Sequence, residues 1–228
     1  GYDCQATSVA GVAQRTGATI YYIEMAEKSD ATPIFSLAPA QGDVDILIAA
    51  EMMEAGRAIM RGFVTPDRTT LIASTHRALA VSEKMVPGDG IAASDEVSAA
   101  AEIAADRAIK LDLNQVAIEN GSVISSALFG ALAASGALPF PKSAFEQSIR
   151  ASGKGVDASL RAFRAAYEII HSDTPHRNEP TGKKPISELV LRGPEKPLKD
   201  ARGLMARVEQ LPEAVRPMAQ RGLRKVVE

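Results

Sequence analysis

Cysteine is almost absent from this chain, with Cys4 the only one among 228 residues. A single thiol cannot form an intrachain disulfide, and it cannot supply the set of thiolates that an iron–sulfur cluster usually needs. Tryptophan is missing and aromatic residues make up only 4%, so stacking platforms for nucleic-acid bases are not expected. The scarcity of cysteine favours a reducing, cytoplasmic setting.

Excess charge and long apolar runs are also missing. The formal net charge is −2, which provides no basic field for binding nucleic acid. The most apolar run, residues 122–138, is interrupted by serines and glycines and is short for a membrane span. The sequence therefore predicts a buried helix there, and neither nucleic acid nor a membrane is an expected partner.

The three histidines do not have the spacing of a metal site. His171 and His176 lie in a stretch without cysteine or paired carboxylates, where we expect a solvated loop, and His76 lies far from both. No metal is therefore expected in this chain.

Apolar runs typical of buried strands alternate with helical patterns. Strands are predicted over residues 45–50, 69–75 and 109–113. Helices are predicted over residues 51–61, 94–108 (with Ser94 as a cap), 122–136, 142–151 and 156–170. This alternation predicts an α/β fold: a doubly wound, Rossmann-like, mostly parallel sheet with helices on both faces, followed by a C-terminal helical tail.

Proline positions suggest how the chain is divided. Residues 1–170 carry the α/β pattern, whereas residues 171–197 hold prolines among charged and small residues. We expect the latter to be a linker or extended arm. Residues 198–228 are predicted to form a helical tail or the start of a second domain.

Polar side chains follow two of the predicted strands. Glu51 comes after the first, and Ser74, Thr75, His76 and Arg77 come after the second. Ligands of doubly wound sheets bind beyond the carboxyl ends of the strands, so these residues are candidates for binding a phosphate or carboxylate. The alternative is a helix cap by Ser74 or Thr75, with His76 hydrogen-bonded locally.

A glycine-flanked loop, Gly11–Gly17, lies between two strand-like runs at residues 5–9 and 18–23. Gln14 and Arg15 can direct several donors from such a loop at one anionic group, and loops on a rigid sheet often carry function. The alternative is that Arg15 pairs with a carboxylate and only shapes the turn.

The helix predicted over residues 122–136 has small residues at Ser126, Gly130 and Ala134. They would allow close approach either to a helix of a second copy, which would make this a dimerisation helix, or to the chain's own sheet. Phe129 and Leu132 would anchor either contact.

Four stretches together resemble a known family: the Gln14–Gly17 loop, residues 43–51, residues 71–77 and residues 120–139. The loop matches an (A/S)QRxG signature, and the order and spacing of all four resemble the γ subunit or γ domain of 2-oxoacid:ferredoxin oxidoreductases. Within that family, the chain resembles the β subunit of the indolepyruvate type. The GxGGQG turn with which the family opens is not in this sequence, so we expect the chain to lack the first strand, that turn and most of the first helix.

The resemblance implies a part in the oxidative decarboxylation of a 2-oxoacid to acyl-coenzyme A. It implies that thiamine diphosphate, Mg²⁺ and [4Fe–4S] clusters lie on a partner subunit or domain, that ferredoxin is an indirect partner, and that coenzyme A is a possible co-substrate. Gln14, Arg15, Thr16 and Gly17 would face the shared cleft with Glu51 and residues 74–77, and no residue of this chain is assigned as catalytic. Alternatives are a nucleotide- or coenzyme A-binding module and a purely structural assembly domain; a homodimer is also possible.

One motif imitates a thiamine site. Gly88-Asp89-Gly90 precedes Asn114 and Asn120 at the spacing of a thiamine-linked magnesium motif. It follows a polar run ending in Pro87 rather than a buried strand, so a turn is the better prediction.

Overall fold

The computed structural model of the chain describes residues 1–9, 19–78, 93–173 and 195–212, together with the isolated positions 215, 216 and 219. The chain forms two compact units, Gly1–Pro180 and Thr181–Glu228. Both described sheets lie in the first unit. The predicted division at residues 170 and 197 stays a prediction.

The chain begins with an antiparallel two-stranded ribbon. Strands β1 (Tyr2–Val9) and β2 (Ile20–Glu27) pair along their full length, from Tyr2 opposite Glu27 to Val9 opposite Ile20. The ribbon therefore leads directly into the connection that holds the Gly11–Gly17 loop, which lies outside the described residues.

A three-stranded parallel sheet follows, built from β3 (Ile46–Ala49), β4 (Thr70–Ser74) and β5 (Arg107–Leu111) in the order β3-β4-β5. Helix α1 (Met52–Met60) lies in the connection from β3 to β4, and α2 (Ser94–Ala104) in that from β4 to β5. The parallel sheet with intervening helices confirms the predicted α/β fold.

The described remainder of the chain is helical. The first unit continues with α3 (Leu113–Glu119), α4 (Ile124–Ser135), α5 (Lys142–Ala151) and α6 (Val156–Asp173). In the second unit, α7 spans Glu195–Glu209 and ends before Pro212. No single helix in the described segments is long and apolar enough to cross a membrane; α3 and α4 meet that test only as a pair bent by 118°.

Alternating residues of β4 send side chains to two separate cores, as a strand's period of two requires. Leu71 and Ala73 pack with α1 and α2. Ile72, which lies between them, packs on the other face with α3, α4 and α6. Helices therefore cover both faces of the sheet, as predicted, and hold the strand ends in fixed positions.

Helices α4 and α6 approach each other closely at Gly130. Gly130 lies so near the backbone of Phe163 that an added Cβ would come within 2.2 Å of the Phe163 carbonyl oxygen. The predicted anchor Phe129 contacts the rings of Phe145 and Phe163. The small residue at position 130 thus serves packing within this chain. The helix ends where predicted, at Gly136 with φ 66°, a backbone conformation that glycine adopts without strain.

Several predicted boundaries were wrong around β5. Helix α2 ends at Ala104 rather than residue 108, and Ser94 is its first residue rather than its cap. Strand β5 begins two residues earlier than predicted and stops at Leu111, because the side chain of Asp112 accepts a hydrogen bond from Gln115 N and starts α3. His171 is helical, with its ring stacked 5.3 Å from that of Tyr167 one turn earlier; His176 lies outside the described residues.

Candidate functional site

The carboxyl ends of the three parallel strands form one edge of the sheet. Glu51 follows β3, Ser74 ends β4 opposite Leu111 of β5, and residues 75–77 continue from β4. The structure brings these polar residues together through a chain of contacts between the strand ends and the first turns of α1 and α3.

Glu51 is the N-cap of α1, with Oε2 accepting hydrogen bonds from Met53 N at 2.8 Å and Glu54 N at 3.3 Å. Its other oxygen, Oε1, lies 3.5 Å from Nε of Arg77, and the exposed fractions of the two side chains are 11% and 18%. The carboxylate therefore has two tasks, capping a helix and compensating a largely buried guanidinium.

Ser74 is fully buried and joins β4 to α3. Its Oγ accepts a hydrogen bond from Leu113 N at 3.1 Å and lies 2.8 Å from Nδ1 of His76. The contact with His76 is a hydrogen bond with either side as donor, because the Ser74 hydroxyl can donate to Nδ1 and its second lone pair can accept from Nδ1–H. The predicted alternative of a local hydrogen bond for His76 is what the structure contains.

Backbone contacts fix the segment after β4. Thr75 N donates to Leu111 O at 3.1 Å, which continues the β4–β5 pairing by one residue. The carbonyl of His76 accepts from Met52 N at 3.4 Å, which ties the segment to the first turn of α1. Thr75 itself is exposed and His76 is half-buried, so the Thr75 hydroxyl and the His76 imidazole both reach the surface.

Asp112 belongs to the same edge, although it was not identified from the sequence. Its Oδ1 accepts a hydrogen bond from Gln115 N at 2.8 Å and caps α3. An acidic residue three positions before a glutamine is a recognised start signal for a helix, but it lay partly within a run assigned to a strand. The edge thus holds two capping carboxylates, Glu51 and Asp112.

These caps determine the electrostatics of the edge. Helix N-termini carry partial positive charge and free N–H groups, which is why they often bind phosphate. Here a carboxylate already occupies the first turn of α1 and another that of α3. The edge therefore offers the Thr75 hydroxyl and the His76 imidazole for hydrogen bonding, rather than an open helix N-terminus for holding a phosphate.

The other predicted site residues lie in the loop at the end of the ribbon. Gln14, Arg15, Thr16 and Gly17 fall outside the described residues, and their part in a site stays a prediction. The ribbon that carries them is attached to the rest of the unit through side chains of both strands: Gln5 Nε2 donates to Ser36 O at 2.8 Å, and Glu24 Oε2 accepts from Ser36 N at 2.6 Å.

Comparison with known proteins identifies the family of the chain. A model of the family described as pyruvate ferredoxin/flavodoxin oxidoreductase matches residues 1–169. The chain belongs to this family. The match includes the ribbon, the parallel sheet and most of α6, and it leaves the second unit outside. No curated protein and no solved structure matches the chain.

Enzymes of this family use thiamine diphosphate and iron–sulfur clusters, generally on partner domains. One cysteine does not fit an iron–sulfur cluster, and the described residues do not assemble a site for a thiamine-linked metal. Cys4, the only cysteine, is exposed on β1, and the described segments contain no group of three or more His, Cys, Asp or Glu that could hold a metal ion. Glu51, the most buried acid of the edge, is already committed to α1 and Arg77. The Gly88–Gly90 motif lies outside the described residues.

Proposed function

We propose that this chain is a subunit or domain of a 2-oxoacid:ferredoxin oxidoreductase of the indolepyruvate type, which shapes the active-site cleft without carrying the cofactors. Its family match over residues 1–169 is the observation that carries the proposal. In this proposal a partner polypeptide or domain holds thiamine diphosphate, Mg²⁺ and [4Fe–4S] clusters. That partner decarboxylates the 2-oxoacid, passes electrons to ferredoxin and transfers the acyl group to coenzyme A.

The strand-end edge fits the part of a cleft wall. Buried pairs hold its framework, since Glu51 is fixed by α1 and Arg77, and Ser74 by Leu113 N. A wall held in this way presents Thr75 and His76 without rearranging when a ligand arrives. Gln14 and Arg15 would face the same cleft from the ribbon loop, where Arg15 would hold a carboxylate or phosphate of the substrate or of coenzyme A.

A free-standing nucleotide- or coenzyme A-binding module is a poorer match to this edge. Such modules hold phosphate on the open N-terminus of a helix that follows a strand. At this edge the caps Glu51 and Asp112 would place carboxylates against the phosphate. The repulsion between the carboxylates and the phosphate would weaken binding, because like charges close to one another raise the free energy of the complex.

The test uses the assembled oxidoreductase purified through a tag on this chain, assayed with indolepyruvate, pyruvate, ferredoxin and coenzyme A. We expect Arg15→Ala to lower kcat/KM at least about tenfold, because it removes one charge-assisted hydrogen bond of about 1.5–3 kcal/mol. Arg61→Ala, an exposed arginine after α1, is the matched control and should leave kcat/KM unchanged.

Two results would contradict the proposal. One is normal turnover by a correctly assembled Arg15→Ala enzyme, which would show that Arg15 does not act in the cleft. The other is tight calorimetric binding of coenzyme A or NAD by the chain alone, without any thiamine- or iron-containing protein in the purified material. That result would favour the binding module.

A further inference from the structure

The buried end of β4 holds the imidazole of His76 from one side. Ser74 is 0% exposed, and its Oγ has two polar contacts within the described part of the chain, with Leu113 N at 3.1 Å and with Nδ1 of His76 at 2.8 Å. The backbone of His76 is held as well, since its carbonyl accepts from Met52 N at 3.4 Å. Neighbouring elements therefore fix both the position of this residue and the direction of its ring.

The burial of Ser74 decides which way its hydrogen bond with His76 runs. A hydroxyl has one proton to donate and two lone pairs that accept, and Leu113 N already occupies one lone pair. If Nδ1–H filled the other, the hydroxyl proton would have no acceptor among the described residues, and the side chain has no surface on which water could supply one. Because an unpaired buried donor is costly, donation from Ser74 to Nδ1 is favoured about tenfold or more in population.

The other ring nitrogen of His76 then carries the proton and is available to a ligand. Within the described segments, Nε2 forms no hydrogen bond and is not one of the buried unpaired side-chain atoms, so it reaches the surface of the half-buried ring. A neutral imidazole whose Nδ1 accepts presents Nε2–H as its only donor. His76 thus offers one N–H of fixed direction at the carboxyl ends of the strands, where ligands of such sheets bind.

The charges of the edge indicate what kind of group this N–H meets. Glu51 and Asp112 cap α1 and α3 with carboxylates, and these disfavour a further anion at the same edge. A carbonyl oxygen accepts a hydrogen bond without adding a charge. The keto group of a 2-oxoacid and the amide groups of coenzyme A both carry such an oxygen.

We infer that His76 is a ligand-contacting residue whose Nε2–H donates to a carbonyl oxygen of the 2-oxoacid or of coenzyme A, and that Ser74 is the positioning residue that holds the imidazole in this form. The inference rests on the proposed function, because the two ligands are those of the proposed enzyme. Ser74 does not touch the ligand and acts only through His76. Its fixed contacts give the donor its direction before a ligand arrives.

The first experiment reads the ring itself, without any assay of turnover. Long-range ¹⁵N NMR spectra of the full chain distinguish protonated from unprotonated ring nitrogens at about pH 8.5, where an imidazole of ordinary pKa is neutral; loss of the signals in His76→Gln assigns them. We expect wild-type His76 to carry its proton on Nε2 and none on Nδ1. In Ser74→Ala the two forms should exchange, so that the two ¹⁵N shifts move toward each other. Ser172→Ala, in an exposed turn of α6, is the matched control and should leave both shifts unchanged.

The second experiment measures KM for the 2-oxoacid and for coenzyme A in the assembled oxidoreductase. We expect His76→Ala to raise one of the two KM values about three- to tenfold, the effect of one lost neutral hydrogen bond, with a smaller change in kcat; the KM that rises identifies the ligand. His76→Gln should recover much of the loss, because its amide nitrogen can take the place of Nε2. His171→Ala, an exposed histidine on α6, is the matched control and should keep both wild-type values.

A double-variant cycle separates positioning from a structural role. Ser74→Ala should raise the same KM as His76→Ala and should add nothing to it when the two changes are combined, whereas Ser74→Thr, which keeps the hydroxyl, should restore the wild-type value. Circular dichroism confirms that each variant is folded.

Three outcomes would overturn parts of this inference. A protonated Nδ1 in the wild type, or unchanged shifts in Ser74→Ala, overturns the role of Ser74. Unchanged KM values in a correctly assembled His76→Ala enzyme overturn the ligand contact, and both of these results leave the proposed function standing. Purified material that holds neither thiamine diphosphate nor iron overturns the proposed function and the ligand contact together, while the NMR spectra still test Ser74 alone.

Discussion

The replacement of Gly130 by alanine tests the packing on which the whole first unit depends. Gly130 lies in α4 against α6, and an added Cβ would come 2.2 Å from the carbonyl oxygen of Phe163 and 2.9 Å from its carbonyl carbon. Both atoms belong to the backbone, so no side-chain rotation relieves the overlap. The two helices would have to separate by about 1 Å, given that carbon contacts are normally at least about 3.5 Å.

Two terms of opposite sign decide the size of the effect. Alanine is favoured over glycine within a helix by about 1 kcal/mol. Overpacking a rigid core costs about 1–3 kcal/mol and occasionally more, and a backbone contact this short belongs at or above the upper end. We expect a net loss of about 2 kcal/mol in the free energy of unfolding, or a fall in Tm of about 4–8 °C for a chain of this size.

The assay is urea unfolding followed by circular dichroism, with two glycine variants as controls. Gly56→Ala in α1 meets only the side chain of Val97, at 3.1 Å, and Gly203→Ala in α7 meets no atom within 4 Å. Gly203→Ala should be neutral or stabilising by up to about 1 kcal/mol, and Gly56→Ala should fall between the two. A Gly130→Ala chain as stable as the wild type would refute the close contact of α4 with α6.

Two further predictions concern the strand-end edge and the ribbon. Ser74→Ala leaves the amide of Leu113 without its acceptor and should cost about 1–3 kcal/mol in urea unfolding, whereas Ser172→Ala, whose hydroxyl donates to a carbonyl of its own exposed turn, should cost less than about 0.5 kcal/mol; equal costs would contradict the assigned role of Ser74. Burial and the neighbouring Glu24 raise the pKa of Tyr22 to about 12 in the fold from about 10 in the unfolded chain, so the folded chain holds the phenol proton more tightly. The contribution of Tyr22 to the free energy of unfolding should therefore be fully present below about pH 10 and be lost as the pH rises toward about 12. Tyr22→Phe should flatten that slope in unfolding measured across alkaline pH, and an unchanged slope would exclude Tyr22 as its source.

Periodicity predicted the fold because the signals were local and strong. The apolar run before Glu51 and the β-branched run before Thr75 became β3 and β4 within one residue at each end, and residues 142–151 became α5 without change. The errors collected at β5, where Asp112 starts a helix inside a predicted strand. A single capping hydrogen bond outweighed the apolar pattern there, because the run is too short for periodicity to separate strand from helix.

The placement of Glu51 and of residues 74–77 was predictable in outline, but their contacts were not. The rule that parallel strands end at one edge places Glu51 near Ser74 and Arg77, and the structure agrees. The pairing of Glu51 with Arg77, and of Ser74 with Leu113 N, depends on the relative register of three strands. No local pattern encodes that register. Which face of the ribbon packs on the chain was equally hidden, because residues 20–23 are all apolar or aromatic and show no alternation from which the inner face could be predicted.

The caps at the sheet edge lead to one physical conclusion. Carboxylates close the N-termini of α1 and α3, so the edge cannot gain much free energy by binding a free anion. If the proposed function holds, affinity for substrate or coenzyme A should therefore emerge only in the assembled enzyme, where a partner polypeptide supplies the groups that this edge does not offer.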